Sequence, residues 1–229
     1  MSAVSYPSVR PEVIRALQTL SSPSVANAIE TFDVRPRSTG YMSSEIHCVL
    51  PNLGVMVGYA ATAKIRTTLQ PEPGAATDRR IMWEHILSLP EPRVVVIQDL
   101  DERPLGSFWG EVNANIHRAL GCVGTVTNGG VRDLDEVEAL GFHLFAGQIH
   151  VSHAYVHVVE VGTPVEIGGL VVRPGDLLHG DKHGIIDIPL DIAEGVYAAA
   201  KAVDERERAI IDLCKSPDFS VDKLGELYH

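Results

Sequence analysis

The order of its segments predicts that this chain folds as a single mixed α/β domain, with a helix-covered parallel sheet and a second, largely β layer. Three observations carry that expectation. Between Arg93 and Ala146, apolar runs of strand length alternate with helical patterns as β-α-β-α-β, the sequence form of a parallel sheet. Four short β-rich stretches then follow at close spacing with Gly and Pro turns: YVHVVEVG, VEIGGLVV, DLLHGD and GIIDIP. Finally, Asp191 opens one long helix. The 229 residues are 45% hydrophobic, enough for one sizeable core, and no linker, repeat or low-complexity segment divides them. The core is expected over about residues 20–190 and the last helix over about 191–214.

In chain order, Ser22-Pro23-Ser24 reads as a cap followed by proline at the first helical position, leading into VANAIETF. Residues 53–67 are β-rich and punctuated by glycine, as in a strand pair. PEPG at 71–74 breaks the chain before a helix, TDRRIMWEHILSL, with Ile81, His85-Ile86 and Leu89 at helical spacing. The unbroken apolar run from Arg93 to Gln98 fits a strand covered on both faces. Gly110 opens a helix with Val112, Ile116 and Ala119-Leu120 on one stripe, and Val123 to Thr127 returns as a strand. Asp133 to Leu140 is a short helix and Phe142 to Ala146 a strand. At Asp191, Glu194 three residues on completes a capping-box pattern.

Composition narrows the function classes. A net charge of −11, with Arg79-Arg80 the only adjacent basic pair, argues against a nucleic-acid surface. Cys48, Cys122 and Cys214 are an odd number without CxxC spacing, which fits a reduced, cytoplasmic setting rather than a disulfide framework. No apolar run approaches the roughly 20 residues needed to span a membrane. No glycine-rich loop of the kind a methyl-donor fold requires is found.

The most informative stretch is FWGEVNANIHRALGCVGTVTNGGVRDLDEVEALGF, where Gly110-Glu111 and Arg132-Asp133 are separated by twenty residues. Taken singly, each acid has a plain explanation. Asp133 with Glu136 fits a capping box, and Glu111 in a first helical turn is favoured by the helix dipole. Together they say more. In a parallel sheet the strand ends that feed helices share one edge, where ligands bind, and consecutive loops there are neighbours. The backbone N–H groups of Val112 and Asn113 at a helix start suit an anion, and Arg132 can grip the same carboxylate bidentately. Hard oxygen ligands without a nearby cysteine favour Mg²⁺ or Mn²⁺ over zinc. The glycines of Asn128-Gly129-Gly130 allow a tight turn against a ligand.

With these residues in view, the chain resembles the RraA-like family, which includes the class II 4-hydroxy-4-methyl-2-oxoglutarate aldolases and the ribonuclease E regulator RraA. In those aldolases G-D is followed after twenty residues by R-D, a short helix and LGFPVFA. Here Gly110-Glu111, Arg132-Asp133 and ALGFHLFA at 139–146 match, as do GYAATA at 58–63 and VVRPGDLLHGDKHGIIDIP at 171–189. The likeness covers roughly residues 20–210. It implies a three-layer β/β/α swivelling domain assembled as a homotrimer or homohexamer. It also implies a divalent-metal-dependent lyase that cleaves C–C bonds of pyruvyl-type keto acids, by aldol cleavage or by oxaloacetate decarboxylation. Asp133 would be the metal ligand. Arg132, Gly110, Glu111, Val112 and Asn113 would form the substrate site, with Glu111 acting through water on the metal. Glu205 or Glu207 of a neighbouring subunit would approach. Both reactions pass through a pyruvate enolate, whose charge such a site stabilises. The alternative within the family is a non-catalytic regulator that binds a ribonuclease or helicase partner.

Two departures stand out. Glu111 occupies the place of the aldolases' Asp and reaches one methylene further. In addition, the family's segment after VFARG, which supplies a basic residue, is replaced by GQIHVSHAYVHVVE. His150, His153 and His157 would share a helix face, but the valines around them favour a strand, with His153, Tyr155 and His157 on one side facing solvent or a pocket rather than zinc. Lys182-His183 reads as a turn, Cys122 as packing, and Trp109 as core or as a wall of the site.

Overall fold

The computed structural model describes residues 5–227. Two helices open the chain, α1 (Pro11–Leu17), which the sequence reading did not anticipate, and α2 (Ser22–Glu30). The α2 cap is Ser21 rather than Ser22: its hydroxyl accepts from the Ser24 N–H at 3.2 Å. Ser22 turns inward instead, donating its N–H to Asp181 at 3.0 Å, with its hydroxyl 3.0 Å from His179 Nδ1.

After a short strand, β1 (His47–Cys48), comes β2 (Met56–Arg66). The expected strand pair is one strand of 11 residues. Gly58 does not turn the chain. It admits the Pro92 carbonyl, whose oxygen would stand only 2.8 Å from a β-carbon at this position. The sheet is built around β2. Along one edge it pairs in parallel with β3 (Arg93–Asp99). Along the other it pairs antiparallel, first with β10 (Leu177–Asp181) and further on with β7 (His157–Val161).

Beyond β3 the expected alternation is present. α3 (Arg79–Leu87) precedes β3, and β5 (Cys122–Val131) and β6 (His143–Ile149) extend the parallel sheet. Between them lie α4 (Glu111–Ala119) and α5 (Leu134–Ala139), and β4 (Ser107–Trp109) adds to β5. The order is β1-β6-β5-β3-β2-β10-β11, with β11 (Gly184–Ile188) closing a hairpin on β10 whose turn holds Lys182 and His183. Of the later short strands only β8 (Val165–Ile167) and β9 (Leu170–Val172) form a separate pair. The second β layer is therefore mostly continuous with the first through β2, because that strand is long enough to carry different partners at its two ends.

Strand alternation sorts the core into the three-layer β/β/α arrangement. Val95 and Ile97 face the helices, with Trp109, Ala114 and Val137. Val94 and Val96 point the other way, against Val165, Ile167, Leu178 and Ile185 of the second β layer. A third cluster joins α1, α2 and α6 (Ala193–Lys215) to β2, β10 and β11. The last helix, α7 (Val221–Leu227), was also not anticipated. Among the described residues no helix is long and apolar enough to cross a membrane.

Three local expectations need correction. In α3 the buried residues are Met82 and Ile86, while Ile81 is exposed. In α4 the buried residues are Ala114 and His117, and Val112 is 72% exposed. His117 packs edge-on against Trp109 at 4.6 Å and bonds the Asn113 carbonyl at 2.7 Å, which rotates the apolar stripe away from the core. At α6, Ile192 is the cap position and no side chain caps it. Glu194 pairs with Arg10 at 2.7 Å instead of closing a capping box.

Candidate active site

A cavity of about 440 Å³ opens where β4 ends and α4 begins, and Gly110, Val112, Asn113, Arg132 and Asp133 all line it. The parallel topology is the cause. β4 and β5 run side by side, so the residues that follow them, Gly110-Glu111 and Arg132-Asp133, emerge at one edge. The Arg132 N–H locks this pairing by donating to the Trp109 carbonyl at 3.0 Å.

Asp133 has a left-handed backbone, φ 54° and ψ 48°, and its side chain does not cap α5. The capping-box expectation for Asp133 and Glu136 is overturned for that reason: the backbone turns the carboxylate outward, to the start of α4. There Asp133 Oδ2 accepts the Glu111 N–H at 2.9 Å. The acid thus sits at the positive end of a helix, but not of its own. Gly110 makes this approach available, since a β-carbon there would collide with Asp133 Oδ2 and crowd the Arg132 side chain.

Arg132 Nε lies 3.8 Å from Asp133 Oδ2 and is buried without a hydrogen-bond partner among the described residues. Its Nη1 contact to the Val151 carbonyl is long, at 3.5 Å. A donor fork left in this state suits an incoming carboxylate. The first helical bond of α4 is Ala114 N–H to the Gly110 carbonyl at 3.0 Å. Val112 and Asn113 thus keep N–H groups with no acceptor inside the helix. The Asn113 side chain is tied to the Phe108 carbonyl. Glu111 is exposed and does not line the cavity; its backbone N–H, not its carboxylate, is what engages Asp133.

The histidine segment is a loop up to Val156, and β7 begins only at His157. The expected one-sided row is not formed. His153 and Tyr155 line the cavity, whereas His150 and His157 do not. A β-carbon on Gly130 would strike the His150 ring, and His157 Nδ1 bonds the Tyr155 carbonyl at 2.8 Å. His153 Nδ1 is held by the Ala154 carbonyl at 2.8 Å, which puts the proton on Nδ1 and leaves Nε2 as the acceptor. Lys182 and His183 lie elsewhere, at the β10–β11 hairpin.

Phe108 brings an aromatic ring to the inner side of the cavity, and Trp109 belongs to the core behind it rather than to the wall. Trp109, fully buried, stacks on Phe142 at 5.3 Å and meets Phe108 edge-on at 5.7 Å. Burial holds the neighbouring His117 neutral, its pKa pushed down to about 4. Sequence reasoning missed Phe108, Ser107 and above all Arg79, which lines the cavity from the start of α3. One signal was present: a cation in a first helical turn opposes the helix dipole.

Among the described residues no three His, Cys, Asp or Glu side chains stand together as a metal cage. The donor set still fits a hard cation that keeps several waters. Asp133 Oδ2 is anchored by a backbone N–H, and Oδ1 has no partner among the described residues.

Comparison with known proteins bears on the family and the fold. The RraA-like model of the aldolase/RraA family matches residues 24–186. A protein of Halalkalibacterium halodurans, provisionally named a 4-hydroxy-4-methyl-2-oxoglutarate aldolase, is 33% identical over 126 residues, 53% of this chain. The match spans 60% of that relative's length. Among solved structures, an uncharacterized Pseudomonas syringae protein superposes with a TM-score of 0.75 at 24% identity, covering 99% of this chain and 98% of that one. Streptomyces coelicolor RraAS2, described as an unusual member of the RNase ES inhibitor RraA family, gives 0.70 at 20% identity over 89% of this chain and 97% of its own. At these identities the two structures speak for the fold.

Proposed function

The chain belongs to the RraA-like family, and from that premise we propose that it is a divalent-metal-dependent lyase acting on pyruvyl-type keto acids. The observation that carries the reading is the Asp133 carboxylate beside the Arg132 guanidinium, both at the start of α4 in one cavity. Asp133 would hold Mg²⁺ or Mn²⁺, with water and substrate completing the coordination. Such a cation supplies Lewis-acid stabilisation of the charge that develops on the keto oxygen as a C–C bond breaks.

The protein's own groups do the rest. Arg132 and the N–H groups of Val112 and Asn113 receive the substrate carboxylate, a charge-assisted contact contributing about 1.5–3 kcal/mol. The Glu111 N–H keeps the Asp133 carboxylate from swinging away. Phe108 lines the cavity, and Trp109 packs behind it in the core, so this side of the site is closed to water. His153, which lines the cavity, would take a hydroxyl proton in an aldol cleavage through Nε2, since Nδ1 faces the Ala154 carbonyl.

The test is pyruvate release from oxaloacetate and from 4-hydroxy-4-methyl-2-oxoglutarate, with Mg²⁺ and with EDTA. Turnover is expected with Mg²⁺, to vanish with EDTA, and to fall at least about 100-fold in Asp133→Ala. A well-folded protein that turns over neither compound would leave a binding role, of the kind the regulator members have, as the better account.

A further inference from the structure

We propose that Arg79 reads the far end of the substrate by binding a second carboxylate, so that the site takes keto diacids in preference to keto monoacids of the same length. The inference rests on the reading of the site given above. Arg79 comes from α3, well away in sequence, yet it shares the cavity with Arg132 and Asp133. It is the first residue of that helix, where the dipole disfavours a cation, and no acidic residue lies in the first turn to compensate. The adjacent Asp78 is engaged in capping, accepting the Arg80 N–H at 2.9 Å. Arg79 has neither an ion pair nor a hydrogen bond among the described residues. Among the described residues no acid is paired with its charge.

Its position is nevertheless held. The guanidinium carbon stands 5.4 Å from the centroid of the Phe108 ring, which is itself only 4% exposed. Stacking on an aromatic face orients the planar fork and leaves its N–H edges for a ligand. The charge balance points the same way. In a protein of net charge −11, the cavity carries two guanidinium groups against the single carboxylate of Asp133. A metal ion would make that excess larger. A keto monoacid brings one negative charge, which Arg132 beside Asp133 is placed to receive. Arg79 is then left for a second one.

Equilibrium binding of two unreactive C5 acids separates the possibilities: 2-oxoglutarate and 2-oxopentanoate, which differ only in the distal carboxylate. Titration calorimetry in Mg²⁺ buffer is expected to show the diacid bound at least about tenfold more tightly by the wild type. In Arg79→Gln the ratio should fall toward one, Arg79→Lys should keep part of it, and Arg132→Gln should weaken both acids. The inference is overturned if the wild type shows no preference, if Arg79→Gln keeps it, or if Arg79→Gln weakens both acids alike. Because the readout is binding, intact diacid selectivity without oxaloacetate turnover counts against the lyase reading alone. Failure of both acids to bind overturns both. Arg79 is exposed, so the variants should melt with the wild type.

Discussion

A left-handed backbone costs most residues about 1–2 kcal/mol, and Asp and Asn tolerate it best. Asp133, at φ 54°, uses that tolerance to send its carboxylate to the next helix. Asp133→Asn should therefore melt close to the wild type, while metal-dependent turnover drops at least about 100-fold; a parallel loss of melting temperature would mean that the acid is structural. Gly110→Ala tests the same contact from the other side. Its methyl displaces Asp133 Oδ2, so kcat/KM should fall by about tenfold or more, with the Mg²⁺ dependence shifted to higher concentration. Arg132 and Asp133 were legible because the Gly-x₂₁-Arg-Asp pattern survives local rearrangement. Arg79 was not, because its place depends on a contact with Phe108 across the tertiary fold, and one sequence carries no record of such pairs.

Elements were legible where burial decided them. β3 is covered on both faces and its unbroken run of valines says so, whereas α4 and α6 were misread because buried His117 and the Arg10–Glu194 pair override the apolar stripe and the capping pattern. β6 offers a test. His143, at its start, is 8% exposed, its Nδ1 has no partner, and burial lowers its pKa to about 4. The unfolded chain, with histidine near 6.5, takes up the proton first as pH falls. Stability is therefore lost between pH 6.5 and about 4. His143→Leu should be more stable at neutral pH by about 1 kcal/mol and show a shallower acid slope in thermal melts. Asp187, raised to about 6 by burial, works in the opposite sense, gaining stability as pH falls, so the comparison must be made between variant and wild type.

For the molecule as a whole, assembly into a homo-oligomer is a prediction that the exposed apolar side chains allow to be tested. Val112, Ile149, Val151 and Tyr155 are 72%, 57%, 96% and 56% exposed on the elements that bring the site together. Val112 and Tyr155 also line the cavity, whereas Ile149 and Val151 do not, and exposed apolar side chains are what a subunit interface would cover. Val151→Asp should lower the mass measured by light scattering without lowering the stability of the subunit, because the side chain touches nothing in its own chain that burial would reveal. An unchanged mass would place the interface elsewhere. The layered class was readable in the β-α-β alternation, but the continuity of the two β layers was not, since it depends on which edges of β2 are taken.

That continuity has a kinetic consequence. Every residue of β2 from Met56 to Ala63 is buried, and each is paired with β10, β3 or β7. Freeing their amides means drawing the central strand out of the buried sheet. In deuterium these should be the last protons retained, exchanging only when the entire subunit unfolds, and their rate would report its global stability directly.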